Sequence, residues 1–436
     1  CQDAFLNQLG VSPTFNLLTS VMDDMRPENK YLHLMDEQEA ITKAQALLNR
    51  PGDANVSPLA VYRRAAKADS VQQRRPNVVL IMMESMSAKF MKHFGQSETL
   101  TPFLDSLYTR SISFRNFYSA GIHTNHGLYA TLYSFPAMMK RNLMKGSVIP
   151  RYSGLPTVLK ENGYYNLFFM THEGQYDNMN AFFRTNGYDE VFSQEDYPAD
   201  KVVNSFGVQD DFLYDYAIPV LNQRAATGQP FFATLLSISN HPPYVIPPFF
   251  HPKTSEPEMQ IVEYADWALR QFFEEARKQP WFDNTIFVLE GDHGKLVGDA
   301  ECELPESYNH IPLMIYSNRI QPEEKTAFGG QVDIQPTILG LLNIDYLQNN
   351  FGVDLLKEER PCMFYTADNM VVGRNDTLLY LYNYETQQEL TYDIGNGKLN
   401  AVPMDDSFLP LKEYSFSMLQ SAEFLVKHGK TLNSIP

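Results

Sequence analysis

The chain is poor in three features that would each define a class of protein: cysteine, long apolar stretches and positive charge. Its cysteines, Cys1, Cys302 and Cys362, show no paired spacing, which excludes a disulfide framework and a zinc knuckle. No apolar run approaches the ~18 residues that a membrane-crossing helix needs. Lysine and arginine total 35 against 52 aspartates and glutamates, so the net charge is −17. This acidity argues against binding to nucleic acid or to an anionic membrane surface, since both need basic surface.

The composition is otherwise that of a large folded protein. The 436 residues are 44% hydrophobic and 13% aromatic, which disfavours disorder and suffices for two or three domains, or for one large α/β domain with an appendage. The first residue is Cys1 rather than methionine, and two origins stay open. Either a signal peptide has been cleaved, with Cys1 as a lipoprotein anchor, or a membrane domain precedes the chain.

Between residues 77 and 345, buried strand-like runs alternate with helical stretches. The predicted strands cover residues 77–83, 113–117, 166–170, 231–238, 285–290 and 313–316. The predicted helices cover residues 102–107, 156–162, 209–223, 258–278 and 334–342. This alternation is typical of a mostly parallel central sheet with helices on both faces, so we predict an α/β domain over residues 76–345.

The two flanking regions differ from this pattern. Residues 1–75 are predicted to form a helical arm, with one helix from Asp36 to about Leu48 and a second starting at Ser57-Pro58. After residue 345, short β-type segments separated by polar turns precede a closing helix at 411–428. We therefore predict a small C-terminal subdomain over residues 346–436 that is built on an antiparallel sheet.

The stretch Thr285–Gly294 (TIFVLEGDHG) carries the clearest chemical signal. Its apolar run is typical of a strand buried on both faces, and it ends in Asp292 and His293, two metal-capable side chains between glycines. Adjacent residues on a continuing strand point to opposite faces, so both reach one ion only if the chain turns. We expect Gly291 and Gly294 to permit that turn, because glycine tolerates backbone angles that other residues avoid.

A second buried run, Asn77–Met83, also ends in a potential ligand, Glu84. Ligands bind at the carboxyl ends of the strands in an open parallel sheet, so the two strand ends indicate one metal site. Two carboxylates and one imidazole suit Mn²⁺, Mg²⁺ or Zn²⁺ rather than a thiol-seeking ion. The structural alternative is that Glu84 caps the next helix and that Asp292-His293 forms a polar turn.

The segment Gly121–Ala130 (GIHTNHGLYA) places Thr124 between two histidines, just before a predicted helix start. A threonine hydroxyl becomes a nucleophile when a metal or a base takes its proton, and a helix N-terminus nearby favours a phosphate. The alternative, in which Thr124 and Asn125 only cap the helix, is the commoner role of such a pair.

Histidines concentrate at the predicted strand ends. Six of the ten lie at or next to such ends, namely His123, His126, His172, His241, His293 and His310. A histidine that follows a buried strand, as in the segment SNHPPY around His241, is placed to contact a phosphate or to donate a proton. Each one alone is compatible with a structural role, and the clustering is what favours a functional site.

Taken in order, these segments resemble the lipoteichoic acid synthase and phosphoglycerol transferase group of the alkaline phosphatase and sulfatase superfamily. The resemblance rests on Glu84 after a strand, Thr124 in HTxxGLYA, SNHPPY at 239–244 and GDHG at 291–294. It continues through NHIPLMIY at 309–316, VDIQPTILGLLNI at 332–344 and FGVDL at 351–355. It therefore spans nearly all of residues 76–356.

The resemblance implies a metal site and a nucleophile. Glu84, Asp292 and His293 would be metal ligands, and Thr124 would be both the nucleophile and the fourth ligand. The expected cofactor is one divalent ion, with Mn²⁺ preferred and Mg²⁺ or Zn²⁺ as alternatives. True sulfatases carry a C-x-P-S-R segment whose cysteine becomes formylglycine, and none of the three cysteines lies in one, so sulfate-ester hydrolysis is disfavoured.

The resemblance also bears on substrate binding. His241 would contact the phosphate group and His172 matches a substrate-contacting histidine. We add His123, His310 and Asn178 as substrate-binding candidates. Where lipoteichoic acid synthases place a Trp and an Arg to grip glycerol phosphate, this chain has Asp177-Asn178-Met179, so the group that grips the lipid headgroup differs.

The predicted function is transfer of a phosphoglycerol headgroup from a phospholipid, expected to be phosphatidylglycerol, to a glycan or glycerol hydroxyl through a covalent Thr124 intermediate. Residues 10–23 look like the exit from such a family's membrane domain, which favours a membrane-tethered protein whose catalytic domain is extracytoplasmic. The alternatives are a phosphoethanolamine transferase, a phosphodiesterase or sulfatase-like hydrolase, and a non-catalytic sensor or binding domain with the same fold. Metal content and turnover separate an enzyme from a binding domain.

Overall fold

A computed structural model describes residues 31–50, 63–64, 75–146 and 148–433. Cys1, the segment 10–23 and the helix expected at Ser57-Pro58 lie outside these residues. The described helices are α1 (Glu37–Leu48), α2 (Pro102–Tyr108), α3 (Thr124–Tyr133), α4 (Leu155–Glu161), α5 (Met179–Thr185), α6 (Asp210–Ala226), α7 (Pro257–Ala276), α8 (Ile334–Leu341) and α9 (Leu409–Lys427).

Three sheets are formed by the described strands. The two-stranded sheet pairs β1 (Arg63–Arg64) with β10 (Leu347–Gln348). The eight-stranded sheet contains β2 (Asn77–Met83), β3 (Ile112–Tyr118), β4 (Tyr165–Phe169), β5 (Glu190–Phe192), β6 (Phe231–Leu236), β7 (Thr285–Gly291), β8 (Leu313–Tyr316) and β9 (Glu323–Gly330). The five-stranded sheet contains β11 (Met363–Thr366), β12 (Met370–Arg374), β13 (Leu378–Asn383), β14 (Gln388–Asp393) and β15 (Asn400–Ala401).

The eight-stranded sheet has the order β5-β4-β6-β2-β7-β8-β3-β9. Only β8 runs antiparallel to its neighbours, so the carboxyl ends of β4, β6, β2 and β7 lie side by side at one edge. The two runs singled out in the sequence, β2 and β7, are adjacent and pair in register from Asn77 with Thr285 to Met83 with Gly291. The prediction of a mostly parallel sheet is confirmed.

The central strands are buried on both faces because helices cover both sides of the sheet. Alternate residues of β2 enter two different cores, with Leu80 in one and Ile81 in the other. Helices α3, α4 and α8 contribute to the first core, and α2, α6 and α7 contribute to the second. A strand that packs helices on both faces needs apolar residues at every position, which explains the unbroken run NVVLIMM.

The C-terminal sheet is antiparallel throughout, as expected, and α9 packs against its strands β11 and β12. Helix α1 lies against α9 rather than against the large sheet. The chain before α1 is held there by hydrogen bonds from the Leu32 N–H to the Glu423 carboxylate (3.0 Å) and from the Leu34 N–H to Gln420 Oε1 (2.7 Å). The division into domains at residues 76 and 346 remains a prediction.

The sequence analysis missed six strands and extended one too far. The missed strands are β1, β5, β9, β10, β12 and β15. Two of them lack a continuous apolar run: the first five residues of β9 are wholly or partly exposed, and both residues of β15 are exposed. The strand expected to run to Ile238 ends at Leu236. The Ser237 N–H still bonds to the Met82 carbonyl of β2, but the Ile238 N–H donates to Asp210 Oδ1 (2.8 Å) instead of to a neighbouring strand.

No helix in the described part of the chain is both long and apolar enough to cross a membrane.

A buried ion pair joins α8 to the C-terminal subdomain. Arg360 and Asp333 have side chains that are 1% and 0% exposed, and the guanidinium Nε donates to Asp333 Oδ2 at 2.9 Å. The same guanidinium donates to the Phe351 carbonyl (2.6 Å) and to the Tyr414 hydroxyl (2.5 Å). One cation therefore connects the start of α8, the loop that follows it and α9.

Replacing Arg360 with alanine should lower the free energy of unfolding by about 3–5 kcal/mol, because the Asp333 carboxylate would stay buried without its cation. Arg115 is a matched control, since its pair with Glu324 is largely exposed (54% and 30%). Arg115→Ala should cost about 1 kcal/mol or less. Urea unfolding of both variants measures the difference, and equal losses would contradict this account of the junction.

Candidate metal centre and active site

The site lies where the central strands of the large sheet end. Glu84 directly follows β2, and Asp292 and His293 directly follow the adjacent strand β7. Thr124 comes from a third direction as the first residue of α3, which begins after β3. The structure therefore brings together the four residues that the sequence analysis selected as ligands and nucleophile.

The distances define a compact cluster. One ligand atom each from Glu84, Asp292 and His293 lies within 4.8 Å of the others. His293 Nε2 is 3.8 Å from Glu84 Oε1 and 3.7 Å from Asp292 Oδ2. Thr124 Oγ1 is 3.4 Å from Glu84 Oε2. Both carboxylates are fully buried, the histidine side chain is 12% exposed and Thr124 is partly exposed, so the cluster is open to solvent on the side of His293 and Thr124.

Backbone and hydroxyl donors hold the two carboxylates in place. Asp292 Oδ1 accepts hydrogen bonds from the backbone N–H groups of Ser85 (2.8 Å) and His293 (2.7 Å). Glu84 Oε1 accepts from the Ser85 hydroxyl at 2.6 Å. Ser85 reaches both because its backbone is in the left-handed region, with φ of 51°. This backbone conformation costs free energy for a non-glycine residue, and the two hydrogen bonds of Ser85 to the carboxylates stabilise it here.

The structural alternatives for these residues are not what is observed. The short helix after β2 is capped by Ser87, whose hydroxyl accepts from the Lys89 N–H, and not by Glu84. At the start of α3 the N-cap residue is His123, and Thr124 is inside the helix. Neither side chain is therefore used as a cap.

The expected reason for the glycines around Asp292-His293 was wrong. Neither Gly291 nor Gly294 has a positive φ. Both are required by close packing instead: a Cβ at Gly291 would lie 2.5 Å from the Met86 carbonyl oxygen, and one at Gly294 would overlap the Ser307 carbonyl oxygen. The chain turns at Asp292 because surrounding backbone is packed against it, and only glycine leaves room for that packing.

A third glycine sets the position of Thr124. A Cβ at Gly127, in the first turn of α3, would overlap the Asp292 carbonyl oxygen. Gln331 completes this junction, since its Nε2 donates to that same carbonyl (2.7 Å) and its Oε1 accepts from the Ala120 N–H (2.8 Å). The end of β7 and the segment that leads into α3 are thus fastened to each other, which places the Thr124 hydroxyl beside Glu84.

The electrostatics of the cluster favour a bound cation. Burial raises the pKa of Glu84 well above its ordinary value, and the neighbouring Asp292 carboxylate raises it further. Asp292 Oδ2 is buried and accepts no hydrogen bond from any described residue. Two adjacent buried carboxylates, one of which has an oxygen without a donor, are the arrangement that a divalent ion stabilises.

The donor set fits a metal ion as well. His293 Nδ1 lies 2.7 Å from the Gly294 carbonyl oxygen, so this nitrogen carries the proton and Nε2 is left with a free lone pair. Glu84, Asp292 and His293 can therefore hold an ion, with the Thr124 hydroxyl adjacent to it. The structure supports a divalent metal site at these residues.

Two histidines and two aromatic rings form a wall beside the cluster. His172 follows β4 and is buried, and its ring centroid is 4.6 Å from that of Tyr176. His241 follows β6 and its ring centroid is 3.9 Å from that of Phe206. Burial lowers the pKa of both histidines, which favours neutral rings, while the charge of Asp292 acts on His241 in the opposite sense. Both belong to the site edge, and their roles toward a substrate remain predictions.

The remaining histidines lie in different surroundings. His123 is exposed and pairs with Asp368 of the C-terminal subdomain at 2.6 Å. Burial lowers the pKa of His126 to about 3, so this ring is a neutral part of the packing. His310 Nε2 contacts the Arg115 carbonyl oxygen at 2.8 Å, and its ring stacks on Tyr118. His310 thus has a structural partner at each side, and substrate binding by His123 and His310 remains a prediction.

Asn178 does not present its side chain freely to the site. Its Nδ2 donates to the Met144 carbonyl at 3.1 Å. The neighbouring Asp177 is the residue that reaches the nucleophile region, since its Oδ2 accepts from Asn125 Nδ2 at 3.4 Å. The sequence analysis selected Asn178 and left out this contact.

Several other residues of the site were not found by sequence reasoning. Ser85, Ser237 and Gln331 hold the strand ends. Lys295 donates to Asn240 Oδ1 (2.8 Å), and Asn240 Nδ2 donates to the two backbone carbonyls that follow β2. Ser85 and Lys295 lie within two residues of predicted ligands, so proximity could have flagged them. Gln331 has no such signal, because only the fold brings it to the end of β7.

This fold and these side chains define an alkaline phosphatase-like protein, a class in which a parallel sheet carries a metal site at its strand ends. More specifically, the chain belongs to the sulfatase family: the family model described as "Sulfatase" matches residues 76–344.

Solved structures share the fold. A protein in the alkaline phosphatase superfamily from Vibrio parahaemolyticus has a TM-score of 0.80 and 26% identity, over 91% of this chain and 98% of that one. The lipoteichoic acid synthase LtaP from Listeria monocytogenes has a TM-score of 0.70 and 21% identity, over 83% of this chain and 96% of that one.

Among sequences, the chain is similar to lipoteichoic acid synthase 2 of Bacillus subtilis. The two are 24% identical over 315 residues, which is 65% of this chain and 47% of the relative. The chain spans about half the length of this relative.

Removing one carboxylate should abolish metal binding. Asp292→Ala should reduce bound Mn²⁺ from about one ion per chain to none, because a site of three charged or imidazole ligands loses its central one. Asp345→Ala, at an exposed position away from the cluster, is the control. Metal analysis of the purified variants measures the stoichiometry, and an unchanged value in Asp292→Ala would refute the assignment.

Adding a methyl group at Gly127 should disturb the site without removing any ligand. Gly127→Ala should cost about 1–3 kcal/mol of unfolding free energy and weaken Mn²⁺ binding, since α3 must move away from Asp292. Gly395→Ala is the control, because its added Cβ would meet other atoms only at 3.4 Å or more. If both variants bind Mn²⁺ as tightly as the parent, the packing of α3 does not set the site.

Proposed function

We propose that this chain is the catalytic part of a metal-dependent transferase. It moves a phosphoglycerol headgroup from a phospholipid to a hydroxyl acceptor through a covalent intermediate on Thr124. Membership of the sulfatase family and similarity to proteins named lipoteichoic acid synthase support the reaction class. The observation that carries the proposal is the position of Thr124 Oγ1, 3.4 Å from Glu84 in the buried ligand cluster and at the N-terminus of α3.

The location of Thr124 suits attack on a phosphodiester. As the first residue of a helix of 10 residues, it lies among backbone N–H groups that have no partner within the helix. Such N–H groups and the helix dipole favour a phosphate at this point. A bound divalent ion would lower the pKa of the nearby hydroxyl and offset the negative charge that develops on phosphorus oxygens.

The reaction is written as two displacements at phosphorus. Thr124 Oγ1 forms a bond to phosphorus while the bond from phosphorus to the diacylglycerol oxygen breaks, and the threonine proton ends on that oxygen. The acceptor hydroxyl then attacks the same phosphorus, the bond to Thr124 breaks, and the acceptor's proton returns to the threonine oxygen. Splitting transfer in this way lets donor and acceptor use the site in turn.

The two histidines of the wall supply contacts to the phosphate. His241 Nδ1 is 2.6 Å from the Pro242 carbonyl oxygen, so this nitrogen carries a proton and donates to that carbonyl. Nε2 donates to a phosphate oxygen when the ring takes up a second proton, which the negative charges of the phosphate and of Asp292 favour. His172 Nδ1 is similarly placed against the Glu173 carbonyl oxygen at 3.2 Å. With one ring nitrogen of each held by backbone, the rings are oriented before substrate arrives, which reduces the cost of binding.

The donor we propose is phosphatidylglycerol, and the acceptor is a hydroxyl of a glycan or of glycerol. The proposed location is the extracytoplasmic side of the cell membrane, and the proposed ion is Mn²⁺. The name of the relative, lipoteichoic acid synthase 2, supports a role in the synthesis of that polymer, and the donor and the location are those that the family resemblance implies. The acidic surface is compatible with tethering through other segments, since a net charge of −17 gives no attraction to anionic lipid.

The covalent intermediate gives a direct test. Incubation with phosphatidylglycerol in detergent and Mn²⁺, without acceptor, should leave a glycerophosphate adduct on the peptide that contains Thr124. The adduct should accumulate because water substitutes poorly for a sugar or glycerol hydroxyl. Intact-mass and peptide mass spectrometry measure it.

Two variants separate the nucleophile from the metal site. Thr124→Ala should form no adduct, whereas Thr124→Ser keeps a hydroxyl and should form one on the same peptide. Turnover of a phosphodiester by Thr124→Ala at the parent rate would show that Thr124 is not the nucleophile. A phosphoethanolamine adduct in place of glycerophosphate would identify a phosphoethanolamine transferase.

A further inference from the structure

A strained turn stands beside the nucleophile. Asp177 and Asn178 both have positive φ, 49° and 63°, and neither is glycine. Two consecutive residues in this region are held only when the surroundings fix them, and such strain concentrates at functional sites. The surroundings here are Met144, whose carbonyl accepts from Asn178, and Lys145, whose ammonium is 2.7 Å from Asp177 Oδ1.

The turn is linked to the nucleophile through one side chain. Asn125 is the residue after Thr124, and its Nδ2 donates to Asp177 Oδ2 at 3.4 Å. A chain of contacts therefore runs from Lys145 through Asp177 to Asn125. The Asp177 side chain is 18% exposed and that of Lys145 is 56% exposed, so the chain passes from solvent to the edge of the site.

At Asn125, the inner end of this series of contacts, one side-chain acceptor has no hydrogen-bond donor. Asn125 Oδ1 is buried and finds no donor among the described residues. A buried amide oxygen without a partner costs free energy, which a ligand hydroxyl or N–H would recover. Tyr176 directly precedes Asp177, is 44% exposed, and has its ring centroid 4.6 Å from that of His172, so the two rings offer a surface for the carbon atoms of a small headgroup.

Charge distinguishes the two kinds of headgroup that could bind here. The Asp177 carboxylate is already paired with an ammonium, so it offers little net attraction to a second cation. A headgroup ammonium at Asn125 and Asp177 would also be repelled by Lys145. An uncharged polyol meets no such penalty, because its hydroxyls can donate to both Asn125 Oδ1 and Asp177.

We propose that the chain of contacts from Lys145 through Asp177 to Asn125 is the headgroup-selecting element of this site, and that it favours an uncharged polyol over a cationic amine. The inference rests on the proposed function, for which it names the residues that choose the headgroup. Glu195 is a nearby carboxylate whose charge would attract a cationic headgroup instead. It accepts a hydrogen bond from the Gly174 N–H, and its charge raises the pKa of His172 against the effect of burial.

The test measures binding of two soluble probes, sn-glycerol 1-phosphate and O-phosphoethanolamine, to the Mn²⁺-loaded protein. Calorimetry at low ionic strength avoids screening of the exposed lysine. The parent should bind the glycerol phosphate more tightly. Lys145→Met leaves Asp177 unpaired and should raise the affinity for phosphoethanolamine by about three- to fivefold, the size expected for a partly exposed ion pair, with little change for glycerol phosphate.

Two further variants complete the design. Lys140→Met removes a lysine that pairs with Glu385 instead, and it should leave both affinities unchanged. Asn125→Ala removes the buried acceptor. It should lower the affinity for glycerol phosphate by about tenfold and the affinity for phosphoethanolamine by a smaller factor.

The outcomes separate this inference from the proposed function. A parent that binds neither probe, binds both equally, or prefers phosphoethanolamine overturns the inference, as does a Lys145→Met variant with an unchanged ratio. If the affinities behave as expected but no adduct forms on Thr124, the selectivity stands and the transferase proposal fails.

Discussion

Two carboxylates, Glu84 and Asp292, are buried side by side at the ends of adjacent central strands, and the rest of the site follows from this. Neither is exposed, and burial together with the neighbouring Asp292 carboxylate raises the pKa of Glu84. Such a pair persists only with compensation. The described residues supply part of it through the Ser85 and His293 N–H groups and the Ser85 hydroxyl. One oxygen of Asp292 remains without a donor, and that is where a cation belongs.

The packing around this pair explains why the nucleophile is placed so closely. Helix α3 lies so close to the end of β7 that only a glycine fits at position 127. Gln331 forms hydrogen bonds to the segment before α3 and to the segment after β7. The hydroxyl of Thr124 therefore has a fixed position relative to Glu84 before any ligand binds. A preorganised arrangement of this kind lowers the reorganisation needed during a reaction.

Much of the fold could be predicted because the large sheet is buried on both faces. Continuous apolar runs such as Asn77–Met83 allow only buried elements, and their alternation with helices defines an α/β fold. The strands that were missed do not follow this rule. Strand β9 begins with exposed or half-exposed residues, and its pairing with β3 rather than its own sequence makes it a strand.

Local patterns in the sequence were sufficient to predict the ligand types and the strand that each ligand follows: Glu84 after one buried strand, and Asp292 and His293 after another. The adjacency of β2 and β7 is visible only in the folded chain, where it brings the Ser85 N–H into hydrogen-bond contact with the Asp292 carboxylate, 207 residues away. The folded chain also shows that His310 packs against Tyr118, and that Asp177 rather than Asn178 meets Asn125. Strand order and loop packing arise from long-range contacts, and a local pattern of residues does not encode them.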